Sequence, residues 1–186
     1  MPKNPLITSE TDHVRRLKRL LETSRLLHST LELPELTKIV LRIVRDIVTV
    51  DRCTLFVVDH KEKLLRSFIA QGVDEFEIRL PIGYGLAGTV AGTGMPLDVT
   101  DVHKDRRFQA DFDERLAYTT KDVFCLPIFN REGIIIGVLE LLNRAKPLLA
   151  EDKEFLSDMC SYLGVALNNA WIHRELVQTR DRRRPA

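Results

Sequence analysis

The stretch DVFCLPIFN-REG-IIIGVLELLNR, residues 122–144, decides the fold class of this chain. Two runs rich in apolar and β-branched residues flank a short polar turn that ends in glycine, which is the pattern of a β-hairpin. An earlier pair repeats it, because RCTLFVVD (52–59) and LLRSFIAQG (64–72) are joined by the charged turn HKEK (60–63). Hairpins between neighbouring strands predict an antiparallel sheet.

Helical periodicity surrounds these hairpins on both sides. We expect residues 1–12 to be a flexible lead, 13–33 an N-terminal signalling or dimerisation helix, and 34–178 the main domain, with a tail or linker at 179–186. The main domain begins with a helix from Pro34 to about Val50 and ends with a long one from Ala150 to about Arg180. A sheet with helices packed against it predicts the α+β class.

Apolar residues in the first helix recur every three or four positions. This spacing fits a coiled-coil seam and equally fits a helix that lies on its own domain. The residues concerned are Leu17, Leu20, Ser24, Leu27 and Leu31.

Composition excludes several classes of protein. The 186 residues carry 28 Lys and Arg against 27 Asp and Glu, a net charge of +1, so nucleic acid is not expected as a partner. No apolar run is long enough to span a membrane. Cys53, Cys125 and Cys160 are odd in number and form no CxxC pair, which predicts buried thiols in a reducing, cytoplasmic setting.

The middle of the chain holds a glycine-rich stretch and a long polar loop. Residues 83–88 read GYGLAG, a GxGxxG outline without the βαβ unit of a dinucleotide site. We therefore interpret residues 83–94 as a tight turn into a short helix, and no cofactor or metal is predicted. The polar residues 103–121 form a connection long enough to suggest a functional loop.

Together these segments resemble the GAF domain, the small-molecule-binding module of cyclic-nucleotide phosphodiesterases, bacterial adenylyl cyclases and many sensor kinases. The resemblance covers residues 20–178, and RCTLFVVD, LPIGYGLAGTVAGTGMPLDVTDVHKDRRF and DVFCLPIFNREGIIIGVLELLNR carry it. It implies a six-stranded antiparallel sheet with the terminal helices on one face and a ligand pocket on the other. It also implies a homodimer through the terminal helices.

The same resemblance implies a set of ligand-binding residues on the pocket face. Thr54 and Thr120 match hydroxyls, Asp113 and Glu140 match acids, and the backbone at the start of the short helix matches the site of the cyclic phosphate. The full set is Thr54, Phe68, Leu86, Ala87, Gln109, Asp113, Thr120 and Glu140. Phe68 matches an aromatic that lies against the purine, whereas Ile69, Gln109 and Leu116 replace the family's usual Asp, aromatic and hydroxyl.

The phosphodiesterase GAF signature NKFDE is only partly kept. Asn143-Arg144 matches its first pair, Leu148 stands for Phe, and Asp152-Lys153 replaces Asp-Glu. Because Arg keeps the charge of Lys, we expect the family's structural ion pair to survive between Arg144 and Asp152.

These features favour a sensory or regulatory domain that binds a small molecule and signals through dimeric terminal helices. Cyclic AMP or cyclic GMP, another small ligand, or dimerisation without a ligand remain open alternatives. A GAF-type enzyme such as free-methionine-sulfoxide reductase keeps its thiols in the loop before the late hairpin, and residues 103–121 contain no cysteine. The chain is therefore expected not to be an enzyme.

Overall fold

A computed structural model of the chain describes residues 5–68 and 78–182, and it has the expected α+β architecture. The helices are α1 (Pro5–Leu27), α2 (Leu33–Ile47), α3 (Gly85–Thr93), a 3-10 turn (Val102–Lys104), α4 (Asp111–Leu116) and α5 (Ala150–Arg182). The strands are β1 (Val50–Asp59), β2 (Leu64–Phe68), β3 (Arg79–Pro81), β4 (Leu97–Val99), β5 (Val123–Phe129) and β6 (Ile135–Arg144).

The six strands form one antiparallel sheet in the order β3-β2-β1-β6-β5-β4. Alternate side chains along each strand enter different cores, as the pleat of a strand requires. Leu55 and its partner Leu139 lie in the core under the helices, whereas Phe56 and Val138 lie in a second core on the opposite face. The predicted sheet and both predicted hairpins are confirmed.

The helix face carries the larger core. Helices α2 and α5 pack on the sheet, and α1 packs on both of them. Arg16 fixes α1 by ion pairs to Glu154 (2.6 Å) and Asp158 (2.7 Å) in the early turns of α5. No helix within the described residues is both long and apolar enough to cross a bilayer.

Helix α1 differs from the prediction in its start and in its buried face. It begins at Pro5, so helix replaces the expected lead from that residue onward. Leu20 and Leu27 are buried within the domain, but Leu17 and Leu31 are exposed. Helix α1 ends at Leu27, before Leu31, and α5 and α2 cover only one side of it, so the predicted stripe is only partly buried.

Strand β4, at one edge of the sheet, spans only Leu97–Val99. Strand β4 ends at Val99 because Asp101 accepts a hydrogen bond from the backbone N–H of His103 and starts the 3-10 turn. Strand β2 ends at Phe68, and the predicted continuation to Gly72 lies outside the described residues.

Helix α5 lies in direct contact with strand β5. A Cβ atom added at Gly164 would stand 1.9 Å from the carbonyl oxygen of Phe129 and 3.6 Å from a methyl carbon of Ile128. Only the absence of a side chain at Gly164 allows the helix to come this close to the sheet.

The substitution Gly164→Ala is expected to destabilise the fold by at least about 2 kcal/mol, because the helix must move off the strand. Helix propensity alone would predict a gain of up to about 1 kcal/mol, so the two effects have opposite signs. Urea unfolding measures the difference. The exposed neighbour Ser161→Ala serves as control and should stay within about 0.5 kcal/mol of wild type. A Gly164→Ala variant as stable as wild type would contradict this packing.

Candidate functional site

Three polar side chains lie next to one another on the face of the sheet opposite the helices. Glu140 on β6 pairs with Thr54 on β1 and with Cys125 on β5, so the register places the three side by side. Thr54 is 5% exposed, and the Cys125 thiol donates to Glu140 Oε1 across 3.8 Å. A carboxyl group thus occupies the middle of an otherwise apolar face.

Burial raises the pKa of Glu140 from its ordinary value of 4.5 to about 7. Desolvation is the main cause, the thiol of Cys125 lowers the pKa, and the carboxylate of Asp113 raises it further. Among the described residues, none forms an ion pair with Glu140. Glu140 as a whole residue is partly buried near the centre of the sheet.

The long polar loop, here called the lid segment (residues 102–121), brings Asp113 to this face. The carboxylate of Asp113 accepts two hydrogen bonds from Thr120, one from its backbone N–H and one from its hydroxyl, each 2.7 Å long. Thr120 is 3% exposed, so this pair is an internal fastening of the lid segment. Two short helical segments lie within it, the 3-10 turn and α4.

Helix α3 forms the roof over the same face. Leu86 and Ala87 are buried in its first turn and belong to the second core together with Cys125. A Cβ at Gly88 would stand 2.6 Å from the carbonyl oxygen of Pro81, so α3 lies tightly against the end of β3. This confirms that the glycine-rich stretch is a close turn into a packed helix.

A hydrogen bond connects the roof to the lid segment. The hydroxyl of Tyr84, the residue that precedes α3, donates to Gln109 Oε1 at 3.1 Å. Gln109 therefore lies at the rim of the site, where it bridges two elements.

The structure adds Arg52 and Tyr118 to the residues predicted for the site. Arg52 shares a face of β1 with Thr54, and its guanidinium carbon lies 3.9 Å from the centroid of the Tyr118 ring. Burial, followed by the nearby Asp51, raises the pKa of Tyr118 to about 12. Its buried hydroxyl has no hydrogen-bond partner among the described residues. The sequence did contain a signal for Arg52, because it lies two residues before Thr54 and residues two apart on a strand share one face.

The predicted site residues thus fall into three groups. The structure places Thr54, Asp113, Thr120 and Glu140 on or against the sheet face, and Leu86 and Ala87 in the roof above it. Gln109 lies at the rim. Phe68 ends β2, and both its side chain and Ile69 lie outside the described part of the chain.

The expected ion pair between Arg144 and Asp152 does not form. Arg144 instead pairs with Asp98 (2.8 Å) and with Asp122. Asp152 accepts from the backbone N–H of Leu149 at 3.1 Å, because it caps the first turn of its own helix. Its neighbour Lys153 pairs with Asp98 at 2.6 Å and joins α5 to the same group of charges.

All three cysteines are buried, as predicted. Burial raises the pKa of each thiol, to about 12 for Cys160 and well above the ordinary value for Cys125. A nucleophilic thiolate is therefore disfavoured at these positions.

Comparison with known proteins agrees with this architecture. The family model of the GAF domain matches residues 32–167. A probable 3',5'-cyclic phosphodiesterase of Caenorhabditis elegans is 31% identical over 181 residues, 90% of this chain and 25% of that protein. A dual 3',5'-cyclic-AMP and -GMP phosphodiesterase of Takifugu rubripes is 32% identical over 178 residues, 88% of this chain and 20% of its own length. The chain thus spans a quarter or less of these relatives.

Two solved structures share the fold at low identity. The GAF domain of a phosphoenolpyruvate-protein phosphotransferase from Coxiella burnetii has a TM-score of 0.73 at 19% identity and covers 86% of this chain and 96% of its own. Free methionine-R-sulfoxide reductase from Neisseria meningitidis has a TM-score of 0.69 at 16% identity, with 85% and 91% covered. From the family match and the six-stranded architecture, we conclude that this chain belongs to the GAF domain family.

Proposed function

We propose that this domain is a regulatory module that binds a small molecule between the sheet face and the lid segment, and that the ligand is a cyclic nucleotide. The observation that carries the proposal is the carboxyl of Glu140, which is desolvated on the sheet face opposite the helices and has no cation paired with it among the described residues. A ligand with N–H donors would supply the hydrogen bonds that this carboxyl lacks.

The chemistry of the surrounding groups supports a nucleotide. Thr54, Thr120 and Asp113 offer polar groups around Glu140, while the apolar residues of the second core suit the face of a base. The free N–H groups at the start of α3, at Leu86 and Ala87, suit a phosphate. The two phosphodiesterase relatives, which act on cyclic nucleotides, support the same ligand class.

We further propose that the domain forms a homodimer through its terminal helices. On α1 the exposed apolar residues Val14, Leu17 and Leu21 recur at spacings of three and four, and on α5 the exposed Ile172 and Leu176 are four residues apart. Such spacing suits helix pairing between two copies. Ligand binding would then alter the packing of α5, which leads away from the domain toward an output partner.

Dimerisation without a ligand is the competing function, and the same exposed side chains favour it.

We propose a cytoplasmic location, which the three free, buried thiols support because a reducing compartment preserves them.

Cyclic GMP or cyclic AMP is expected to raise the free energy of unfolding by about 2–3 kcal/mol at roughly 100 times its dissociation constant. Thermal unfolding against a panel of cyclic AMP, cyclic GMP, amino acids and 2-oxoglutarate measures this. Glu140→Ala should abolish the gain, whereas the exposed control Glu132→Gln should keep it. A flat response to the whole panel, or equal gains in Glu140→Ala, would refute the proposed cyclic-nucleotide site.

Wild-type stability should depend on pH through Glu140. Because the pKa of Glu140 is raised from 4.5 to about 7 in the fold, the folded chain holds a proton that the unfolded chain has lost between these values. The contribution of Glu140 to the free energy of unfolding therefore declines as the pH rises from 4.5 to 7, by up to about 1.4 kcal/mol per pH unit. Glu140→Gln removes that decline, so the variant gains stability relative to wild type from pH 5 to pH 7. If the free energies of unfolding of wild type and Glu140→Gln differ by the same amount at every pH, the raised pKa of Glu140 is contradicted.

Charges placed among the exposed apolar side chains of α1 and α5 should separate the dimer. The double variant Leu21→Glu with Ile172→Glu is expected to sediment as a monomer, because two carboxylates cannot be buried unpaired in an apolar interface. Glu22→Lys, on another exposed face of α1, is the control and should remain a dimer. A monomeric wild-type chain at micromolar concentration would exclude this dimer.

A further inference from the structure

Asn143, near the end of β6, has a left-handed backbone and a side chain that leaves its own strand. Its φ is 53°, a conformation that Asn tolerates better than most residues. Its Nδ2 donates to the carbonyl oxygen of Thr119 at 2.7 Å, and its Oδ1 accepts from the N–H of Lys121 at 2.7 Å. The amide therefore binds the lid segment on both sides of Thr120.

The residue enclosed by this pair of bonds is the one that holds Asp113. Thr120 donates both its N–H and its hydroxyl to that carboxylate. Asn143 thus holds the backbone on either side of Thr120, and Thr120 in turn holds Asp113. The charge of Asp113 acts on Glu140.

The anchor of this chain is firmly held. The N–H of Asn143 donates to the carbonyl oxygen of Asp122 at 3.1 Å, and the side chain of Arg144 pairs with Asp98 and Asp122 while only 5% exposed. Because charge-assisted pairs at a buried guanidinium hold their geometry well, the end of β6 is a fixed point from which the lid segment is held.

We infer that Asn143 is a positioning residue for the ligand site: it fastens the lid segment at Thr120 and thereby sets Asp113 against Glu140. The functional part of this inference rests on the proposed ligand site. The fastening itself can be tested in the ligand-free protein, so the two can fail separately.

The titration of Glu140 reports the position of Asp113. The groups on this face are Cys125 on β5, Thr54 and Arg52 on β1, Tyr118 beside Arg52, and Asp113 on α4. Helix α3 (Gly85–Thr93) carries no ionisable side chain. If Asp113 moves away, Glu140 loses a like charge and gains water. Both changes lower its pKa.

Asn143→Gly removes the amide yet accepts the positive φ, so backbone strain does not confuse the result. In the ligand-free variant, NMR should show amide exchange at Lys121 and Thr120 accelerated by about fivefold, since one hydrogen bond is worth roughly 1 kcal/mol. Carbon-13 titration should show the pKa of Glu140 shifted down toward its ordinary value.

Asn130→Gly is the matched control. Asn130 Oδ1 accepts from the N–H groups of Glu132 (3.1 Å) and Ile134 (2.8 Å) in the hairpin between β5 and β6. This variant should accelerate exchange in that hairpin alone and leave the pKa of Glu140 in place. If Asn130→Gly and Asn143→Gly accelerate exchange at Lys121 equally and lower the pKa of Glu140 equally, the fold is loosened in general and the inference is overturned.

Thr120→Val tests the same link from the lid segment, and it is the variant to use if Asn143→Gly does not fold. It removes the hydroxyl bond to Asp113 without a change of shape, so the pKa of Glu140 should fall while exchange at Lys121 stays slow. An unchanged pKa of Glu140 in either folded variant overturns the positioning role. If exchange at Lys121 and the pKa of Glu140 change as expected but no cyclic nucleotide binds the wild type, the proposed ligand is wrong and the fastening by Asn143 stands.

Discussion

The carboxyl of Glu140 lies in the central strand β6 on an apolar face, and its environment does not favour the charged form. Desolvation and the nearby carboxylate of Asp113 raise its pKa, and the thiol of Cys125 is only a weak donor. Such a group costs stability unless it binds a proton or meets stronger donors. A folded domain that keeps this cost is explained most simply by a ligand that relieves it.

The two faces of the sheet carry different elements: the long helices pack on one face, and α3 and the lid segment cover the other. On the helix side, α5 lies in direct contact with the sheet at Gly164 and Phe129. On the other side, a hydrogen bond from Tyr84 to Gln109 joins the roof to the lid segment. Arg144 and Lys153 share Asp98, so the charges beside the lid segment also hold the first turn of α5. A change in the lid segment therefore has a physical route to that helix.

Sequence reasoning predicted what local periodicity determines and missed what distant packing determines. The hairpins, α5 and the glycine-bounded helix α3 follow from patterns within a few residues of each other. The partner of Arg144 does not, because Asp98 and Asp122 reach it only after β4, β5 and β6 have paired. Likewise, the inner face of α1 depends on where α5 lies, which no spacing within α1 reveals. The family resemblance supplied Thr54, Asp113, Thr120 and Glu140 as candidates, and the register of β1 and β6 explains why Thr54 and Glu140 lie side by side.

The most direct test of this account is the carbon-13 signal of the Glu140 carboxyl during titration with cyclic GMP or cyclic AMP. If donors of the bound nucleotide satisfy the carboxyl, its charged form is favoured and its pKa must fall well below 7 on saturation. If a cyclic nucleotide binds and stabilises the fold while the titration of Glu140 stays unchanged, the ligand lies elsewhere and the account is wrong.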